Sequence, residues 1–377
     1  MSGFSTPPPK TRPPQLWPSA SEDEPIWTPA FLQSMHDLLA SSLIPAPMLL
    51  PLDEKEQDLP SRLSIITFNV WFDRQDWCAR SRSLISSLLL VSPPGGVSRP
   101  ADVVCLQEVV PALHAALLDP RSPLLSLYHV STVPVGSYGV VTLVLRSSVA
   151  DGSQPVFTSF PLRCSDMGRS LLIASFPLRE QCPTTHTPLS AHIGNVHLES
   201  LSARSLRRLQ LQVCHQALGE AAAGGKEEGD SASRLLAGLP RSLEEKAPPT
   251  KRTLAALCGD FNFDDRQEWG SWRTSTGSCF SLKGAGGLAP LENAVLQETM
   301  PLYVDCWCAV RGDEAGPTFD GGRNPYVRDR DEVMRYDRIL AMSETLSPTC
   351  AELLFSDPPI SDHYALKVTF TCVGGGL

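Results

Sequence analysis

Eight short β-rich runs divide the chain from Ser64 onward, at 64–70, 102–109, 139–146, 170–176, 192–198, 253–261, 336–341 and 363–372. Most are too short for helices, and Gly, Pro and polar turns separate them. Two helices are expected among them, Arg80 to Leu90 and Ser202 to Leu218. The second carries Leu206, Leu209, Val213 and Ala217 on one face. Many strands, few helices and acidic residues at strand ends favour an α/β sandwich over a parallel doubly wound sheet. No internal repeat is visible.

Polar clusters mark the ends of these runs: Thr67-Phe68-Asn69, Leu106-Gln107-Glu108, His197-Leu198-Glu199-Ser200, Gly259-Asp260-Phe261-Asn262 and Ser361-Asp362-His363. Strand residues alternate faces, so Asp260 and Asn262 are expected to project from one side at the mouth of a sheet. A carboxylate and an amide there can hold or deprotonate a water and position a phosphate oxygen. Glu108 ends a buried run and suits a hard cation, since Mg²⁺ takes one or two carboxylates with waters and phosphate oxygens. By position alone it reads equally as a surface Glu. Asn69 shares that geometry, and alone it reads as an Asn beginning a turn.

His363 can stabilise a pentavalent phosphate or protonate a leaving group, although a lone His at a strand entrance is the plainer reading. Asp337, in Tyr336-Asp337-Arg338-Ile339-Leu340, offers a carboxylate to orient that imidazole. His197 could contact the phosphate directly, and Ser200 either caps the following helix or binds a substrate oxygen. Each residue has an ordinary structural reading when taken singly. Their joint placement at strand ends describes a metal-assisted phosphoryl-transfer site. No Gly-rich phosphate loop, Gly-x-Ser-x-Gly elbow or His-Glu-x-x-His motif competes with it.

Composition narrows the partners. A net charge of −9 argues against a protein that coats nucleic acid by bulk electrostatics, while leaving room for a local basic groove. The 11 cysteines include no Cys-x-x-Cys, so buried thiols are expected rather than disulfides or a zinc site. Strand alternation would put Cys306 and Cys308 on one face. Residues 1–60 are Pro-rich and are expected to form an extended tail, with a short helix at Trp27 to Leu39. Residues 61–377 then form one domain carrying a low-complexity surface insertion at 221–250. Met1 to Pro18 holds no apolar h-region, and Leu38 to Leu52 is too short and proline-broken to span a bilayer. Cytosol or nucleus is the expected location.

These residues, in this order, resemble the endonuclease/exonuclease/phosphatase superfamily of Mg²⁺-dependent phosphodiesterases, from Ser64 to Cys372. Within it the chain looks most like the 5′-tyrosyl-DNA phosphodiesterases, which release tyrosine left on DNA 5′ ends by type II topoisomerases. The pointers are His197-Leu198-Glu199-Ser200 before a helix bearing Arg204, Arg207 and Arg208, and Met167-Gly168-Arg169-Ser170-Leu171-Leu172. Val304-Asp305-Cys306-Trp307, Thr318-Phe319-Asp320 and Tyr336-Asp337-Arg338-Ile339 then follow in the family's order.

The resemblance implies a four-layer sandwich of two central, mostly antiparallel sheets flanked by helices, acting on DNA 5′ ends as a monomer with Mg²⁺ or Mn²⁺. It makes Glu108 and Asp362 metal residues and Asn69 part of the phosphate and metal shell. Asp260 and Asn262 handle the nucleophile, and Asp337 and His363 close the site. His197, Ser200 and Arg204 face the substrate. Asp264 stands where the family carries Arg, and it is expected to emerge beside incoming phosphates, with Arg266 as a substitute contact. Phe319 stands where the family carries Trp and keeps an aromatic wall. A phosphodiesterase of the same fold acting on RNA, abasic DNA or a lipid head group is the alternative, and an inactive scaffold a more distant one.

Overall fold

The computed structural model of the chain describes residues 62–73, 75–85, 100–120, 122, 124–181, 188–201, 203–224, 253–264, 271–273, 279–281 and 292–372. The first half runs β1 (Arg62–Asn69), α1 (Trp77–Ser83), β2 (Val103–Val109), α2 (Pro111–Leu117), α3 (Leu124–Leu127), β3 (Tyr128–Val130), β4 (Gly139–Leu145) and β5 (Val156–Pro161). It continues with β6 (Ser170–Gln181), β7 (Pro188–His197), α4 (Arg204–Ala222), β8 (Thr253–Asp260), β9 (Ser271–Arg273), β10 (Cys279–Ser281) and α5 (Glu292–Thr299). The C-terminal part is β11 (Val304–Asp305), α6 (Cys306–Arg311), β12 (Phe319–Asp320), β13 (Val333–Met334), β14 (Asp337–Met342), β15 (Leu346–Leu354) and β16 (Ala365–Cys372). All eight expected strands are present.

Two six-stranded sheets, ordered β15-β16-β1-β2-β4-β3 and β11-β14-β8-β7-β6-β5, form the centre. Each is antiparallel except for one parallel pair in the middle, β1 with β2 and β7 with β8. Parallel neighbours point their C-terminal ends the same way, so each sheet brings two strand ends to one rim.

Successive residues of a strand serve different layers. Ile65, Val103 and Cys105 face Ala191, Ile193, Ala256 and Cys258 between the sheets. Their neighbours Ile66, Val104 and Leu106 pack outward on Trp77, Leu113 and Leu117. On the far side Leu171, Val196 and Leu257 meet Leu211, Cys214 and Leu218 of α4 and Leu296 of α5. Helix, sheet, sheet, helix is the four-layer order. With both faces covered, the central strands need no polar alternation, which is why they read as mainly apolar runs.

Below the rim the two sheets are joined by a polar tie. Gln107 Nε2 donates to Asn195 Oδ1 at 2.8 Å, and Asn195 Nδ2 donates to the carbonyls of Leu106 and Val141. Both side chains are fully buried. A buried amide pair in a low-dielectric layer is directional, so it sets the register of one sheet on the other where hydrophobic packing alone would not.

Several expectations need correction. The helix expected over Arg80 to Leu90 begins earlier, at Trp77, and residues 86–90 lie outside the described residues. The helix expected over 202–218 is α4, and it buries Arg207, Gln210, Leu211, Cys214, Ala217 and Leu218, while Leu209 is 45% exposed. The inward stripe is therefore turned toward 207, 211 and 214 because two polar residues, Arg207 and Gln210, are used inside. α4 also continues through Ala222, so the insertion boundary at 221 falls within a helix. Cys306 and Cys308 sit on α6 rather than a strand, with Cys306 buried and Cys308 exposed. The tail, its Trp27–Leu39 helix and positions 225–250 lie outside the described residues. Among the described residues no helix is long and apolar enough to cross a membrane.

Candidate active site

The rim where the two parallel pairs end carries Asn69 of β1, Glu108 of β2, His197 of β7 and Asp260 of β8. His197 and Asp260 are register partners, and Asp260 is also opposite Asp337 of β14. Sheet pairing alone thus gathers residues far apart in sequence. Glu108 reaches the mouth by a bulge. Pairing of β2 with β4 breaks between Leu106 and Val109, and Glu108 adopts φ 58. A bulge of this kind re-aims a side chain that plain alternation would send into a helix-covered face.

Asp260 is the hub. Its Oδ2 accepts from Asn69 Nδ2 at 3.0 Å and lies 3.5 Å from His197 Nε2 and 3.9 Å from His363 Nε2. Its Oδ1 accepts the Asn262 N–H at 2.8 Å. Asn262 has φ 57, so it is not the next inward residue of a strand. An Asx turn holds it beside Asp260, and its own amide donates to Leu198 O at 2.9 Å. Burial favours a neutral Asp260, but His197, His363, Asn69 and the Asn262 N–H outweigh it and hold its pKa below the usual carboxylate value.

His363 stands before β16, with Nδ1 2.7 Å from Asp337 Oδ2. Burial would strip its proton, yet the Asp337 carboxylate, with Asp362 and Asp260 behind it, raises its pKa well above the ordinary imidazole value. That shift favours the protonated ring, with Nε2–H toward an incoming anion. Thr318 Oγ1 accepts the Asp337 N–H, and the Phe319 ring packs 5.0 Å from the imidazole. Asp337 Oδ1 is buried with no hydrogen-bond partner.

His197 is the opposite case. Arg169 Nη1 lies 2.9 Å from its Nδ1, and a guanidinium can only donate, so Nδ1 accepts and the proton sits on Nε2. Burial, with the Arg169 charge, lowers its pKa to about 3. Two imidazoles thus face Asp260 with pKa values moved in opposite directions. Arg169 Nη2 also donates to Ser200 Oγ at 2.9 Å.

The carboxylates fit a hard cation. Glu108 Oε2 accepts the Phe72 N–H at 3.0 Å, and Oε1 lies 3.9 Å from His197 Nε2. Burial, opposed by His363 and reinforced by Glu108, raises Asp362 to about 7; burial also raises Glu108. Crowded acids of this kind gain stability from a divalent ion held by oxygen donors. One oxygen or nitrogen from each of Asp260, Asp337 and His363 lies within 4.8 Å of the other two, a spacing that could also hold a metal. The 2.7 Å contact between His363 Nδ1 and Asp337 Oδ2 puts that triad to a different use.

Other expected residues fall elsewhere. Ser200 does not cap α4, which begins after Ala203 without a side-chain cap. Arg204 turns to Glu292 at 3.8 Å, so no substrate contact is assigned to it by geometry. Arg266 lies outside the described residues. Asp264 is 3% exposed and accepts the Arg335 N–H at 2.9 Å. The left-handed step at Asn262 breaks the extended geometry on which its expected position depended. Asp264→Arg should consequently destabilise the fold by roughly 3 kcal/mol or more, the usual scale for an uncompensated buried charge. Chemical denaturation would test this, and a variant as stable as the parent would contradict it.

Arg169 and Arg80 support the site without having been expected to: Arg169 bonds the His197 and Ser200 side chains, and Arg80 ties loop backbones together. Arg80 donates to the carbonyls of Val70, Trp71 and Ile360, and Ser361 Oγ donates to Asn69 O at 2.7 Å. The Asn69 loop and the Asp362–His363 loop are locked together by these bonds.

Buried carboxylates and two imidazoles gathered at one mouth suit a hydrolase of phosphoric esters that works with a divalent cation. The chain belongs to the Endonuclease/Exonuclease/phosphatase family, whose model matches residues 66–363, and it is a metal-dependent phosphodiesterase. No curated protein matches it in sequence. D. rerio TDP2 complexed with single strand DNA product is 22% identical, with 82% of this chain and 99% of that chain covered at a TM-score of 0.55. Truncated Caenorhabditis elegans TDP2 is 20% identical over 82% and 98%, at a TM-score of 0.51. At these identities the likeness is one of fold.

Proposed function

We propose that the protein is a Mg²⁺-dependent, Mn²⁺-tolerant phosphodiesterase that hydrolyses the 5′-phosphotyrosyl bonds type II topoisomerases leave on DNA, a role in DNA repair in the nucleus. The observation that carries the substrate reading is a cavity of about 230 Å³ beside His197, lined by Val133, Val135, Tyr138, Met167 and Arg169. Arg169 lies 5.2 Å from the Tyr138 ring centre, and Tyr138 stacks on Phe72 at 5.0 Å. A recess of mixed polarity, with an aromatic face and a guanidinium beside a phosphate position, suits an aryl leaving group. The D. rerio TDP2 solved with single strand DNA product supports the nucleic-acid side of the reading.

In this reading Asp260 takes a proton from water as its oxygen bonds to phosphorus, and Asn262 offers its side-chain oxygen to position that water. The bond from phosphorus to the tyrosyl oxygen breaks, leaving a 5′-phosphate and a tyrosine that regains a proton. His363 and His197 donate their Nε2–H groups to non-bridging oxygens, where charge accumulates. Asp337 keeps His363 charged, Arg169 keeps His197 neutral and oriented, Ser200 contacts the phosphate and Phe319 forms a wall for the nucleotide. Glu108 and Asp362, with Asn69, would hold the cation. Once bound, it would draw charge from the phosphoryl oxygens.

A panel of folded-protein assays separates the substrates. A 5′-phosphotyrosyl oligonucleotide should be cleaved with kcat/KM at least ~10²-fold above abasic DNA, RNA, phosphoinositide or sphingomyelin, a margin of the order lost with a well-placed contact set. Preference for any of the others would replace the tyrosyl assignment and leave the reaction class standing.

A further inference from the structure

Glu199 shares a motif with His197 and Ser200, yet its carboxylate does not enter the mouth. It is 1% exposed and collects four donors: the Ser165 hydroxyl at 2.7 Å, the Asp166 N–H at 3.1 Å, the Met167 N–H at 3.0 Å and Gln210 Nε2 at 2.8 Å. The Ser165 hydroxyl oxygen in turn accepts the N–H groups of Met167 at 3.1 Å and Arg169 at 2.9 Å. Gly168, at φ 70, supplies the left-handed step that closes this turn. The segment from Ser165 to Arg169 is therefore wound around a single carboxylate, and Arg169 leaves it aimed at His197 Nδ1 and Ser200 Oγ.

The anchor for that carboxylate comes from the other side. The Glu199 N–H donates to Gln210 Oε1 at 2.8 Å, and Arg207 Nη1 donates to Glu199 O at 2.7 Å and Leu201 O at 2.8 Å. Arg207 is itself fixed by Glu292 through Nε at 2.8 Å and Nη2 at 3.1 Å. These bonds explain why α4 turns Arg207 and Gln210 inward. We infer that Glu199 is a positioning residue for phosphate binding: it folds the Ser165–Arg169 turn so that Arg169 fixes the His197 ring and the Ser200 hydroxyl. The inference rests on the phosphodiesterase reading of the site. An acceptor-only group is needed, because two backbone N–H groups and two side-chain donors converge on it, and a Gln amide would turn an NH₂ toward one of them.

A double-mutant cycle on the full chain, with a chromogenic aryl ester of a nucleoside 5′-phosphate and Mg²⁺, tests it. Arg169→Ala and Glu199→Gln should each lower kcat/KM roughly tenfold or more, the scale of a lost charge-assisted hydrogen bond. The double variant should be no slower than Arg169→Ala alone, since Glu199 acts through Arg169. Ser165→Ala removes one limb of the turn and should cost a smaller factor, also absent in the Arg169→Ala background; it carries the cycle if Glu199→Gln does not fold. A purely structural role would give additive losses instead. Additive losses, or parental kcat/KM in Glu199→Gln, would overturn the inference while leaving the phosphodiesterase reading intact. Failure of the folded parent protein to hydrolyse any phosphodiester would overturn that reading first.

Discussion

Asp260→Asn should lower kcat by at least ~10²-fold at saturating Mg²⁺, the usual scale for loss of a positioned base. Both carboxylate oxygens are committed, Oδ1 to the Asn262 N–H and Oδ2 to Asn69 Nδ2 with the two imidazoles beyond it. Substitution by Asn keeps the shape but places an NH₂ against one of these donors, and the amide cannot accept a proton at neutral pH. Asp260 is 2% exposed, so bulk water does not replace the missing base. The variant should retain the parental circular dichroism spectrum. Turnover within a few-fold of the parent would remove Asp260 from the chemistry.

His363→Ala should be at least as damaging, with kcat falling ~10²-fold or more and KM changing less. An imidazolium acts most strongly on charge that develops in the transition state, so its loss appears in kcat rather than in ground-state binding. The reason its pKa is raised is specific: Asp337, fully buried, lies 2.7 Å from Nδ1. Removing the ring strands that carboxylate, and stability should drop by about 3 kcal/mol as well. Asp337→Asn separates the two effects. It keeps the ring but removes the charge that raises its pKa, so kcat should fall while the stability loss stays smaller. A His363→Ala enzyme with parental kcat would show that the imidazole is only packed beneath Phe319.

The strands were legible because the sandwich covers both faces of its central pairs, so β1, β2, β7 and β8 are mostly apolar and carry polar residues at or near their C-terminal ends. Residues directly at those stops, Asn69, Glu108, His197 and Asp260, could be found from the ends alone. What alternation could not supply was the backbone's departure from it. Asn262 reaches Asp260 by an Asx turn, Glu108 is re-aimed by a bulge, and Asp264 is turned inward to the Arg335 N–H. The face of α4 was misjudged for a related reason. Apolar spacing pointed to Leu209, but the two hydrogen-bonding groups Arg207 and Gln210 claim the interior. Arg169 stands at the head of β6, and only the folded turn around Glu199 reveals its aim at His197.

Release of free tyrosine from a 5′-phosphotyrosyl oligonucleotide, followed with and without divalent cation, tests the central claim most directly. The folded protein in Mg²⁺ should yield tyrosine and a 5′-phosphorylated oligonucleotide in equal amounts. EDTA should abolish the release, and added Mg²⁺ or Mn²⁺ should restore it. Turnover unchanged in EDTA, or no tyrosine released by protein that hydrolyses another phosphodiester, would contradict it.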